Sequence, residues 1–158
     1  MTKRILTLCV WGGGALLLSA CNSVKIQNSQ IQSQQIYQGA YAQCDESKEG
    51  QYVQEIIANY FKDRQVQGND IKVQCRVTHY HEGSRAARYF VGFGVGAAKS
   101  MIVVEVQNKQ GKKIGSFDVE AEMKMGAFGG SSLNTLKDSA IEIAKYIERN
   151  YILNKEKE

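Results

Sequence analysis

Lys113-Ile-Gly-Ser-Phe-Asp-Val-Glu-Ala-Glu-Met-Lys-Met125 sets apolar against polar residues at alternate positions. Phe117, Val119, Ala121, Met123 and Met125 point one way; Ser116, Asp118, Glu120, Glu122 and Lys124 point the other. A period of two over this length is that of a strand with one buried face. Just upstream, Asn108-Lys-Gln-Gly-Lys112 forms a hairpin loop in which Gly111 is free to take positive φ, and residues 101–107 supply the second strand. A β-hairpin is therefore the centre of the fold.

Working outward, Gly126-Ala-Phe-Gly-Gly130 breaks the strand and Ser131 or Ser132 caps a helix. Leu133, Leu136, Ala140, Ile143, Ala144, Ile147 and Tyr151 recur along one continuous face of that helix. On the other side of the hairpin lies Gly83–Ser100, with arginines at 85 and 88, aromatics at 89, 90 and 93, and glycines at 92, 94 and 96. Before it, Ile71, Val73, Cys75 and Val77 alternate with polar residues in a half-buried strand over 71–79. Gly68-Asn-Asp70 is a turn, and Val53, Ile56, Ile57, Tyr60 and Phe61 form the stripe of a first helix behind the N-cap oxygens of Asp45 and Ser47. This order predicts an α+β domain over 44–151: a two-layer sandwich with three to four mixed or antiparallel strands and two helices on one face. Residues 152–158 form a charged tail.

Residues 1–20 have the build of a secretory signal peptide: Lys3-Arg4, then an apolar core to Leu18. That core is about 14 residues long, short of the ~20 that a membrane-spanning helix needs. Leu18-Ser-Ala-Cys21 resembles the bacterial lipobox, which implies that Cys21 becomes the lipidated first residue of the mature chain. Several acyl chains on Cys21 would anchor it stably, at roughly 0.8 kcal/mol per buried CH₂. In lipoproteins of double-membraned bacteria an Asp after that Cys favours retention at the inner membrane; Asn22-Ser23 here implies the outer membrane, with the chain facing the periplasm. Residues 21–43 are rich in Gln, Ser and Asn with scattered apolar residues and read as a solvated tether. Within it, residues 35–42 suit an edge strand equally well.

Removing Lys3 and Arg4 from the 20 basic residues leaves 18 against 16 acidic, a net charge of +2. So mild a charge, with no concentrated basic stripe, gives no reason to expect nucleic acid. Of four cysteines, Cys9 leaves with the signal and Cys21 is lipidated, so Cys44 and Cys75 remain in an oxidising compartment. A Cys44–Cys75 disulfide is the favoured reading; the alternative is two buried thiols. His79 and His81 are the only histidines and, in an unbroken strand, share a face with Cys75. With Glu82 they are the best offer of metal ligands, short of the three or four a zinc site takes. Gly92-Phe-Gly-Val-Gly-Ala-Ala is followed by a β-rich segment rather than a helix, which argues against a phosphate-binding loop. No nucleophile–base constellation stands out, and neither an enzyme nor a cofactor is expected.

Around Gly83-Ser-Arg-Ala-Ala-Arg-Tyr-Phe-Val-Gly-Phe-Gly94 the sequence resembles a family of small bacterial lipoproteins known only as a domain of unknown function. The resemblance extends over roughly residues 45–150, and implies a cell-envelope lipoprotein. Ala87-Arg-Tyr-Phe90 is also similar to a turn of the curli-secretion channel lipoprotein; residues 89–99 are too short to supply the two ~9–11-residue strands of a membrane hairpin. The expected role is a non-enzymatic binding or assembly module of the envelope, held to the membrane through Cys21. An envelope protein is its expected partner, touched by Arg85, Arg88, Tyr89, Phe90 and Phe93, because arginines and aromatics dominate protein contacts. The alternatives are a self-assembling secretion accessory and a small-ligand or metal carrier using His79 and His81. The oligomeric state is not legible in the sequence.

Overall fold

The computed structural model describes residues 22–84, 97–123 and 131–152. The elements run β1 (Asn22–Ile31), β2 (Ala40–Cys44), α1 (Lys48–Asp63), β3 (Ile71–His81), β4 (Ala98–Asn108), β5 (Lys113–Met123) and α2 (Leu133–Tyr151). The strands form one sheet in the order β1-β5-β4-β3-β2, parallel only between β2 and β3. Both helices lie on one face, α1 over β2 and β3 and α2 over β4, β5 and β1, packed against each other. The α+β class is as expected, with five strands rather than three to four.

The central hairpin forms as its alternation dictates. Phe117, Val119, Ala121 and Met123 are buried, while Ser116, Asp118, Glu120 and Glu122 face outward. Its loop is closed by Asn108, whose Oδ1 accepts from the amides of Gln110 and Lys112 at 3.0 and 2.9 Å; Gly111 takes φ 74°. Between sheet and helices, Val53, Ile57 and Phe61 of α1 and Leu136, Ala140, Ile143 and Ile147 of α2 close a single core. Ser47 caps α1, its Oγ accepting from the Gly50 amide at 2.9 Å. At the start of α2 it is Ser131 Oγ that accepts, from the Leu133 amide at 3.2 Å, while Ser132 sits at the cap position without such a bond. Leu133 itself is exposed, outside the apolar face assigned to it.

The largest departure is the N-terminal segment. Residues 22–31, expected as part of a tether, form a ten-residue strand along the edge of β5. Of its apolar residues Val24 and Ile26 turn inward, opposite Ala121 and Val119. Two apolar residues suffice because an edge strand is held by main-chain bonds, which Gln, Ser and Asn form as well as any residue. Asn28, at φ 51°, sits in the irregularity between Gln27 and Gln30. The second edge, β2, begins at Ala40 and runs to Cys44, later than the 35–42 stretch that suited a strand. The sheet therefore takes in residues 22–31, which the expected tether had left outside it.

Candidate functional site

Three points of the chain meet at one end of the sheet. Asn22 pairs with Met123, and Met123 pairs with Ala98. On the next strand His81 pairs with Lys99. The residue following Cys21, the start of segment 124–130 and both flanks of segment 85–96 thus lie at the same end of four adjacent strands. Arg85, Arg88, Tyr89, Phe90 and Phe93 lie outside the described residues, as do Cys21 and the signal segment.

Behind that end, β3 carries a bulge. Val77 pairs with Ile102 and His79 with Met101, so Thr78 is an extra residue. An inserted residue reverses the side to which everything beyond it points. Cys75 and Val77 face the core, but His79 and His81 are exposed on the outer face and Tyr80 turns inward, its hydroxyl donating to Ser132 Oγ at 3.0 Å. The two histidines therefore do not share a face with Cys75. Among the described residues no group of three His, Cys, Asp or Glu side chains could hold a metal ion, and Glu82 does not complete one.

Cys44 and Cys75 are joined in a disulfide, opposite each other on the parallel pair β2 and β3 with Cα atoms 4.4 Å apart. Asp45 fastens the same place. Its amide donates to Cys75 O at 3.0 Å, Oδ2 accepts from the Val77 amide at 2.8 Å, and Oδ1 accepts from the Ser47 amide and hydroxyl. Burial alone would raise this carboxyl; hydrogen bonds from Ser47 and the Val77 amide outweigh it and hold it below the ordinary carboxylate range. A second polar cluster ties the helices: Tyr60 donates to Glu148 Oε2 at 2.7 Å and Arg64 Nε to Glu148 Oε1 at 3.2 Å, with Glu148 buried.

The outer face of the sheet is covered by no element of the chain among the described residues. On β3 it carries Lys72, Gln74, Arg76, His79 and His81; on β5, Ser116, Asp118, Glu120 and Glu122. Between them on β4 stand Met101 and Val103, the latter 40% exposed. A shallow depression there is lined by Gln43, Gln74, Arg76, Val103 and Glu105 and reaches Cys44, Asp45 and Cys75. Sequence reasoning did not pick out this segregation of charge. Its signal was present in the acids at alternate positions of 118–122, but the basic side depends on the bulge at Thr78, which the sequence does not announce.

No helix among the described residues is long and apolar enough to cross a membrane. No curated protein matches the chain. Among solved structures it is similar to the PelC dodecamer from Paraburkholderia phytofirmans, at 12% identity over 84% of this chain and 100% of that one, with a TM-score of 0.47. A leucine-to-methionine variant of that dodecamer, in a second crystal form, gives 13% identity, 84% and 98% coverage, and a TM-score of 0.47. The chain is also similar to a minor lipoprotein from Acinetobacter baumannii, at 14% identity over 72% of this chain and 94% of that one, with a TM-score of 0.44. A likeness this low says nothing of what this chain binds or forms. The family described as "Domain of unknown function (DUF4410)" matches residues 24–127, a span that takes in most of β1 and all of β2 to β5, and the chain belongs to that family.

Proposed function

We propose that this protein is a non-enzymatic binding module of the cell envelope, anchored through lipid on Cys21 to the outer membrane and facing the periplasm. Arg85, Arg88, Tyr89, Phe90 and Phe93 are its contact residues for an envelope protein. One observation carries the reading. The register Asn22–Met123–Ala98 sets the residue next to Cys21 beside the strand ends that flank 85–96. A chain anchored at Cys21 holds those ends within a few strand spacings, each ~4.8 Å, of its attachment point. The arginine- and aromatic-rich segment then works close to the membrane, where the only partners it meets are envelope components.

The anchor and the contact are tested separately. Cys21→Ser abolishes lipid attachment, and the chain leaves the membrane fraction; a Cys21→Ser chain that still floats with outer membrane overturns the anchor. Crosslinking in intact cells, followed by identification of the captured proteins, is then compared between the native chain and an Arg88→Ala/Phe93→Ala double variant. Loss of the captured partner with unchanged membrane fractionation is expected. An identical set of partners sinks the contact assignment.

A further inference from the structure

We propose that the outer face of the sheet is a docking surface for a second copy of this chain, the two sheets packing face to face about a two-fold axis that runs along β4. The inference rests on the order of side chains across the sheet. Three rungs carry it: Arg76–Val103–Asp118, His79–Met101–Glu120 and His81–Lys99–Glu122, each reading from β3 through β4 to β5. A two-fold axis along β4 keeps each residue at its own height and exchanges the two sides. The partner's β5 then lies over β3 at the same rung, and β3 over the partner's β5. Asp118 meets Arg76 and Glu120 meets His79, each twice, while Met101 and Val103 meet their own mates on the axis. An axis across the strands would instead set like charges on like.

The surrounding groups fit this arrangement. Asn28 donates to Asp118 Oδ2 and Gln27 to Glu120 Oε2, both at 2.7 Å, neutral donors that steady the carboxylates without cancelling their charge. On β4, Lys99 and Glu105 flank the apolar pair, and each leans toward β5, to Glu122 at 3.5 Å and Lys113 at 3.6 Å. Like charges oppose the arrangement at three places: Lys72 faces Lys113 at the far rim, where solvent screens them, and on the axis Lys99 and Glu105 each face their own mate, already partnered by Glu122 and Lys113 of their own chain. Five strands ~4.8 Å apart over about nine rungs of ~3.4 Å present roughly 700 Å², near the ~800 Å² per partner of a standard interface.

The same axis sends both Asn22 ends to one side. Given the anchor proposed above, two chains held through Cys21 in one leaflet require this orientation. Confinement to a leaflet also raises the effective concentration of a modest interface.

The test uses full-length lipidated protein in vesicles of phosphatidylethanolamine and phosphatidylglycerol. With Cys44 and Cys75 bonded, Val103→Cys supplies a free thiol on the axis, and a short bis-maleimide should join two chains; Gln51→Cys, on the exposed side of α1, should not join them. In the Val103→Cys background, Arg76→Asp or Asp118→Arg should each cut the dimer yield on the order of tenfold. Mixing those two variants, or combining both changes in one chain, should restore it, a rescue that misfolding would not produce. Absence of the Val103→Cys dimer, failure of the mixture to recover, or capture of a different protein at Val103→Cys in cells with no homodimer overturns the proposal. Flotation with the vesicles is scored on the same samples, so loss of the anchor and loss of the dimer are told apart.

Discussion

Gly115 of β5 has no room for a side chain. A Cβ there would strike the hydroxyl of Tyr151 and come within 2.9 Å of Gln30 O. Tyr151 is fully buried at the end of α2, and its hydroxyl has no hydrogen-bond partner among the described residues. Gly115→Ala is expected to destabilise the fold by about 2–3 kcal/mol through overpacking. Tyr151→Phe removes a buried hydroxyl and should cost nothing or add up to about 1 kcal/mol. The double variant should recover much of the loss, as read from urea midpoints; strictly additive effects would show that the hydroxyl is not what Gly115 avoids. The Tyr151 phenol is pushed up to about 12 by burial and by the hydroxyls of Tyr146 and Tyr37. The folded state thus favours the neutral phenol, so this contribution is whole below the ordinary value near 10 and lost as pH rises through about 12. Tyr151→Phe should flatten the fall in stability over that window.

At the scale of elements, Asp45 joins β2, α1 and β3 at one residue. Asp45→Ala strands the Val77 amide and should cost about 1–3 kcal/mol. Because the folded state holds this carboxyl below its ordinary value, its contribution is complete above about pH 4 and disappears as pH falls through the lowered value. The native chain should therefore lose part of its advantage over Asp45→Ala as pH falls below about 4, and an advantage that acid leaves unchanged would contradict this account. The helices and the hairpin were legible because one face of each is buried and the period shows it. The edge strand β1 was not, since Gln, Ser and Asn pair along a ladder without leaving an apolar pattern. Nor was the outward turn of His79 and His81, because Val77-Thr-His-Tyr-His81 keeps an alternating look while the bulge at Thr78 exchanges the faces. The Cys44–Cys75 pair was found from compartment and count alone. The contact residues of 85–93 rest on the sequence still.

Taken whole, the molecule is a sheet with two edges of different construction. β1 is long and covers β5; β2 is short and covers β3. Deleting residues 22–31 would bare the β5 backbone and uncover Ala121 and Val119. It should lower the melting temperature by on the order of 10 °C and promote aggregation. A tether could be cut without either effect, and an unchanged melting curve would return the segment to that role. The disulfide bears on the molecule in another way, as a limit on how far it can be stretched. Residues 44 and 75 are 31 apart in sequence and joined by a covalent bond. Pulled from its two ends, the oxidised chain carries α1 and its flanking turns in a loop that takes no tension. It therefore reaches full extension about 100 Å short of the reduced chain.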